Sequence, residues 1–260
     1  GCIGGGGGAG ESSEETVAED DIHDVRFLNT AYIADWGVKG VFSDAKSCSS
    51  CHIGTTLIMN YGGEDVSPYT QWKHSTMANS LNDPYFNAAV EEETHIFPHL
   101  KGFIEDTCMS CHAPMAYTHA HHTGDGLISN ATTTLLSDGA YPFDTAITDH
   151  HAREGIACTA CHQIQPDDLG TVAGMSGHYK INSANDNTTN NGGVTTIFGP
   201  FQSPPTNPMA TQTGYTPEYA AHISESAMCA SCHNLYTPTL DLDGNLAIVD
   251  GTTDNAKFPE

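Results

Sequence analysis

The pattern Cys-x-x-Cys-His occurs four times in this chain of 260 residues and uses eight of its nine cysteines. In chain order, motifs 1 to 4 are Cys48-Cys51-His52, Cys108-Cys111-His112, Cys158-Cys161-His162 and Cys229-Cys232-His233. Two thiols at this spacing can add to the two vinyl groups of a porphyrin, and the adjoining histidine then lies under the iron as its proximal ligand. The pattern predicts four covalently attached c-type haems, one at each motif.

Two other cysteine chemistries account for less of the pattern. A zinc site needs four ligands, so two motifs could share one ion, but zinc gives no reason for a histidine directly after every second cysteine. A thioredoxin-like dithiol needs one copy on a βαβ frame rather than four. Covalent haem accounts for all the repeated positions.

The histidines outside the motifs are the candidates for the second axial position of each iron. A histidine or methionine there makes an electron carrier, whereas an open position permits substrate chemistry. The chain has 15 histidines, of which four lie in the motifs, so the surplus predicts bis-histidine ligation. The distal candidates are His222 before motif 4, His150 and His151 before motif 3, His119, His121 and His122 after motif 2, His95, and His23.

His23 lies in an N-terminal arm that is far from every motif in sequence. We expect that such an arm can extend to a neighbouring subunit and bring His23 to a haem there. For His74, His99 and His178 an ordinary hydrogen-bonded histidine is the favoured interpretation. Met77 is expected to be part of a helix core rather than a thioether ligand.

Charge narrows the classes of partner and reaction. The chain has 8 Lys+Arg against 32 Asp+Glu, a formal charge of −24, which argues against nucleic acid and anionic lipid as partners. Anionic substrates are repelled as well, and Arg26 and Arg153 are the only arginines. We therefore expect an electron carrier rather than an enzyme; a multihaem reductase with an open haem site is the less favoured alternative. A haem-based sensor is not favoured either, because the sequence offers no output domain to support that interpretation.

The N-terminus indicates an exported protein. Gly1-Cys2 matches the pair around a bacterial lipoprotein cleavage site, which predicts a lipid anchor on Cys2; a plain unpaired cysteine is the alternative. Residues 1–20 are expected to form a flexible, glycine-rich and acidic tether. No apolar run is long enough to cross a membrane, and c-type haem is attached outside the cytoplasm, so the expected location is extracellular or on the outer-membrane surface, with the periplasm as the other possibility.

The elements that must position the motifs are predicted to be short. Motifs recur at intervals of 60, 50 and 71 residues without an evident linker, so residues 21–260 are expected to form one tetrahaem domain. Helices are predicted after Ser67-Pro68, after Asn82-Asp83-Pro84, and from Thr216-Pro217-Glu218 to motif 4. Residues 182–193 read as a loop, and Thr239–Val249 as a β-hairpin. The predicted fold class is a multihaem cytochrome c: mostly loops, with short α-helices and minor β-hairpins wrapped around four stacked haems.

The segments CSSCH, QWKHSTMANSLNDPYF, CMSCHAPMA, EGIACTACHQI, LGTVAGMSGHYKI and SAMCASCHNLYTP resemble the multihaem c-type cytochromes that metal-reducing and related bacteria export. Within that family, the chain is similar to the OmcE-type outer-membrane tetrahaem cytochromes that form filaments. The resemblance implies a subunit of an extracellular cytochrome filament, polymerised through haem-edge contacts and a swapped histidine, for which His23 is the candidate. Redox proteins or extracellular electron acceptors are then the partners. The alternative is a monomeric carrier, lipid-anchored or periplasmic.

Overall fold

The computed structural model describes most of the chain that carries the motifs. The described residues are 42–121, 128–129, 140–181, 195–241, 243, 245–247 and 257–259. The predicted tether, His23, His122, Cys2 and the predicted loop over residues 182–193 lie outside them.

Short helices dominate the described ranges, and each motif lies on one of them. In chain order they are α1 Ala45–His52, α2 Pro68–Lys73, α3 Pro84–Ile96, α4 Lys101–His112, α5 Pro114–Ala120, α6 Phe143–Ala146, α7 His150–Arg153, α8 Cys158–Cys161, α9 Thr206–Thr213 and α10 Ser226–His233. Helices α1, α4, α8 and α10 carry motifs 1 to 4 in that order.

The strands form two-stranded sheets. They are β1 Asn60–Tyr61 with β2 Glu64–Asp65, β3 Ile128–Ser129 with β4 Lys180–Ile181, β5 Thr195–Gly199 with β6 Tyr215–Tyr219, and β7 Tyr236–Pro238 with β8 Lys257–Pro259. Three pairs are antiparallel, whereas β5 and β6 are parallel and are connected through α9. A parallel pair requires such a crossover, so this unit is a small βαβ rather than a hairpin.

Two of the predicted helix starts are confirmed. Ser67 caps α2 by accepting a hydrogen bond from Thr70 N at 3.4 Å, with Pro68 in the first turn. Asp83 caps α3 in the same way through Tyr85 N at 2.9 Å. Both caps work because a short polar side chain satisfies backbone N–H groups that the first turn leaves without a partner.

The predicted helix from Thr216-Pro217-Glu218 to motif 4 is wrong over its first half. Residues Tyr215–Tyr219 form β6, a 3-10 turn follows over Ala221–Ser224, and the helix begins only at Ser226. A residue before proline is driven toward extended backbone, which suits a strand as well as a helix cap. Pro217 is tolerated because a two-stranded sheet leaves one edge of each strand unpaired.

The predicted hairpin over Thr239–Val249 is confirmed where the structure describes it. Leu240 and Leu246 form an antiparallel bridge, and Asp241 N donates to Asn245 O at 2.7 Å. The Asp241 carboxylate also accepts from Asp243 N at 2.9 Å, so its oxygens stabilise the turn.

The buried core includes residues of the motif helices α1, α4 and α8 together with many residues outside the motifs. Its largest fully buried side chains include Tyr117, Tyr179, Leu81, Met109, Met115 and Ile181. Cys108, Cys158 and Cys232, one from each of three motifs, pack against this cluster. About half of the described residues are helical, whereas the predicted fold class was mostly loops. The multihaem cytochrome fold and its haems stay a prediction.

Candidate haem-binding site

Each motif presents its two thiols and its histidine on one side of a helix. Residues i, i+3 and i+4 share a helix face, and these are the positions of the two cysteines and the histidine. All three residues lie within α1, α4 and α10, whereas α8 ends at Cys161 and His162 follows as its C-cap. None of these eight cysteines is in a disulfide, so every thiol is present for thioether formation.

Two of the motif histidines are held through Nδ1 by backbone carbonyls. His112 Nδ1 lies 2.9 Å from Ser80 O, and His162 Nδ1 lies 2.6 Å from Phe198 O. A carbonyl can only accept, so each Nδ1 carries the proton and Nε2 has the lone pair that binds metal. This second contact is the usual way in which a ligand histidine is oriented.

The His112 ring is further restrained by stacking. Phe86 of α3 lies parallel to it, with ring centroids 3.5 Å apart and an interplanar angle of 4°. Burial lowers the pKa of His112, which favours the neutral imidazole at neutral pH. Because only the neutral ring binds a metal, this environment suits a proximal ligand.

Motifs 1 and 4 are more exposed than motifs 2 and 3, because each has one exposed cysteine and an exposed histidine, Cys229 and His233 in motif 4. Cys51 and His52 are both exposed, whereas Cys108, Cys111 and His112 of motif 2 are half-buried. Exposed apolar side chains follow motif 1 directly, among them Leu57 and Tyr61 of the segment that leads into the β1–β2 hairpin.

Thiols of different motifs meet in pairs. Cys48 of motif 1 lies close enough to Cys158 of motif 3 to raise the pKa of Cys158. Cys111 of motif 2 and Cys232 of motif 4 interact in the same way, which lowers the pKa of Cys111 and raises that of Cys232.

Cys161 of motif 3 also lies within electrostatic range of Cys229 and Cys232 of motif 4. Together with the other two pairs, this proximity is consistent with the order 1–3–4–2 for neighbouring motifs.

Hydrogen bonds of the surrounding chain support the pairing of motifs 1 and 3. Thr159, inside motif 3, donates its hydroxyl to Ser43 O at 3.0 Å, and Ser43 lies just before α1. The Thr159 hydroxyl is also 3.4 Å from Ser43 N.

The strap of residues 176–179 connects motifs 2 and 4. Gly177 N donates to Ser231 O of α10 at 2.7 Å, and the Tyr179 hydroxyl donates to Ser110 O of α4 at 2.8 Å. The strap therefore contacts the inner residues of both motifs at once.

The environments of Cys108 and Cys161 differ from those of a redox dithiol. Burial raises the pKa of Cys108 to about 12 and that of Cys161 to about 11. A dithiol oxidoreductase needs an accessible cysteine with a lowered pKa, because the thiolate is the nucleophile. Among the described residues, no three His, Cys, Asp or Glu side chains form a group that could hold a metal ion directly.

His222 is buried, but its ring contacts a backbone carbonyl through Nε2, whereas His112 and His162 use Nδ1. It lies on the 3-10 turn Ala221–Ser224 rather than on the motif 4 helix, and its Nε2 is 2.8 Å from Ile164 O. A His222 that keeps this bond offers iron only Nδ1. The edge of Phe198 also packs against its ring, with centroids 5.3 Å apart.

His151 lies in the short helix α7, beside the start of the motif 1 helix. Its Nδ1 is 3.4 Å from an oxygen of Asp149, and its Nε2 is shielded from solvent. The ring also interacts electrostatically with the buried carboxylate of Asp44, the N-cap of α1.

Of the remaining distal candidates, the structure describes the side chains of His121 and His95. His121 uses both ring nitrogens, Nδ1 at 3.0 Å from Tyr117 O and Nε2 at 3.1 Å from Asp106 Oδ1. His95 is exposed at the end of α3. His119 lies in α5 and His150 in α7, and their side chains fall outside the described part of the structure.

The histidines for which an ordinary role is favoured, and Met77, lie at or near the surface. His74 and His99 are exposed, His178 is half-buried, and Met77 is exposed at 42%. Met77 therefore does not belong to a helix core, because α2 ends at Lys73, before the chain reaches it.

Sequence reasoning missed the groups that orient His112 and His162. Ser80 and Phe198 act through backbone carbonyls, which every residue possesses, so no residue type announces them. Phe86 follows a recognisable helix start but pairs with His112 across 26 positions, and only the fold shows that contact.

Comparisons of the chain with protein-family models, with curated proteins and with solved structures gave no match. Within the described ranges, none of the helices has the length and apolar character needed to span a bilayer.

Proposed function

We propose that this chain transfers electrons through four c-type haems attached at its Cys-x-x-Cys-His motifs. The observation that carries the proposal is that two thiols and a histidine recur at positions i, i+3 and i+4 in all four motifs, within a helix in three of them and across the end of a helix in motif 3. No zinc or dithiol chemistry needs a histidine at that position in every copy.

The residues present fit this group. When bound, a haem supplies an iron that accepts and releases one electron. The cysteines attach the porphyrin, His52, His112, His162 and His233 are its proximal ligands, and the carbonyls of Ser80 and Phe198 orient two of those rings.

The pairing of motif thiols supports transfer in series. Porphyrins attached at neighbouring thiols would be neighbours themselves, so the order 1–3–4–2 would give one path with motifs 1 and 2 at its ends. Of these two ends, motif 1 has the exposed cysteine and histidine.

The proposed location is outside the cytoplasm, as a subunit of an extracellular filament. The resemblance to filament-forming cytochromes supports this, with redox proteins or extracellular acceptors as partners and His23 as the ligand exchanged between subunits. A lipid-anchored or periplasmic monomer, held through Cys2 if anchored, is the alternative. Electron microscopy of haem-stained material sheared from cells decides between them: filaments of uniform repeat support the polymer, and dispersed particles in the membrane fraction support the monomer.

Two assays of the purified protein test the proposed function: a redox titration, and a test of carbon monoxide binding by the reduced protein. We expect four one-electron transitions at low potential, because negative charge near a haem stabilises the oxidised iron, and no carbon monoxide binding by the reduced protein. Binding to one of the four haems would favour the multihaem reductase. Absence of any haem absorption from protein exported in its native host would overturn the proposal.

A further inference from the structure

The residues around His151 form a chain of polar contacts outside the four motifs. Asp149 Oδ1 accepts a hydrogen bond from His151 N at 2.9 Å and lies 3.4 Å from His151 Nδ1. The other carboxylate oxygen accepts the hydroxyl of Tyr141 at 2.8 Å. Tyr141 is buried and is held in turn by its backbone N–H, which donates to Asp106 at 2.7 Å.

This arrangement places the two nitrogens of His151 in different surroundings. Nδ1 faces a carboxylate, and Nε2 is directed into the protein interior. A carboxylate on one nitrogen of an imidazole is the common second contact of a metal-ligating histidine, because it fixes the tautomer and makes the other nitrogen more basic.

The position of His151 relative to the motifs is the second observation. Glu154, which follows α7, accepts a hydrogen bond from Ala45 N at the first residue of the motif 1 helix. Asp44 at the cap of that helix interacts with His151, and Cys48 one turn on meets Cys158 of motif 3. His151 therefore lies beside the place where motifs 1 and 3 come together.

We propose that His151 is a distal iron ligand of a haem in the motif 1 and motif 3 pair, and that Asp149 and Tyr141 are its positioning residues. The inference rests on the proposed function and adds to it a ligand and the groups that tune it. A carboxylate on Nδ1 donates electron density toward the metal, which stabilises the oxidised iron and lowers the potential of that haem.

The two positioning residues are expected to shift that potential in opposite directions. Asp149→Asn keeps a good helix cap but removes the charge, so the potential of one haem should rise. Tyr141→Phe removes the hydrogen bond that draws charge from the carboxylate, so the same potential should fall. A purely structural role for these residues predicts no such opposition.

The test compares His151→Ala, Asp149→Asn and Tyr141→Phe with His99→Ala, which changes an exposed histidine elsewhere. Electron paramagnetic resonance of the oxidised His151→Ala protein should show that one of four low-spin haems has become high spin. That haem should bind carbon monoxide when reduced. The intact mass of each variant reports the haem count separately.

Four haems with unchanged low-spin signals in His151→Ala would overturn the inference and leave the proposed function standing. A parent protein without covalent haem would overturn both. If His151→Ala cannot be recovered, the potentials decide: opposite shifts from Asp149→Asn and Tyr141→Phe support the assignment, and shifts that are absent or of the same sign refute it.

Discussion

Replacing Gly177 with alanine tests how closely the strap approaches motif 2. Gly177 has φ +79°, and an added Cβ would lie 2.8 Å from the Ser110 Cβ and closer still to its hydroxyl. Left-handed backbone costs a non-glycine residue about 1–2 kcal/mol. Overpacking at a close contact costs about 1–3 kcal/mol more. The sum is a large fraction of a typical folding free energy of about 5–15 kcal/mol.

Gly214→Ala is the matched control, because Gly214 has φ +77° and no atom within 4 Å of the added Cβ. Guanidinium unfolding of both haem-loaded variants, followed by circular dichroism, gives the two losses in free energy. We expect Gly177→Ala to lose about 1–3 kcal/mol more than the control. Equal losses would refute the close packing of the strap between motifs 2 and 4.

Two further changes test local contacts. Phe86→Leu removes the ring stacked on His112. It should lower the free energy of unfolding by about 0.5–1.5 kcal/mol and alter one low-spin resonance signal. Tyr85→Leu, at an exposed neighbour, should do neither. The Thr70 hydroxyl is the main cause that lowers the pKa of Asp65 to about 2. Asp65 therefore stabilises the fold above about pH 4 and loses that effect as the pH falls toward 2. The thermal midpoint should drop less between pH 5 and pH 3 in Asp65→Asn than in the parent, and an equal drop would contradict this.

Local signals in the sequence were sufficient for some elements and not for others. Ser67 and Asp83 predicted helix starts correctly, because a cap depends only on residues within one turn. The segment at Thr216-Pro217 satisfied the same local rule but forms a strand. Its pairing with Thr195–Gly199 depends on residues about twenty positions away.

The candidate site also has features that the sequence predicted and features that only the fold shows. The motifs were visible in the sequence because their chemistry requires residues within five positions. Which motifs touch depends on the fold, and the contacts of Cys48 with Cys158 and of Cys111 with Cys232 have no local signature. His222 was one of the distal candidates in the sequence, yet its Nε2 bonds a carbonyl, whereas Nδ1 of His151 lies 3.4 Å from a carboxylate oxygen.

The most direct test of the central claim is the intact mass of the mature, exported protein, measured under denaturing conditions that remove any non-covalent ligand. The account predicts the polypeptide mass plus four haem groups, and a Cys-to-Ala change at both cysteines of one motif should leave three. A mass equal to that of the polypeptide alone would contradict it. So would motif thiols that react freely with alkylating reagents, as zinc-binding thiols do once the metal is removed.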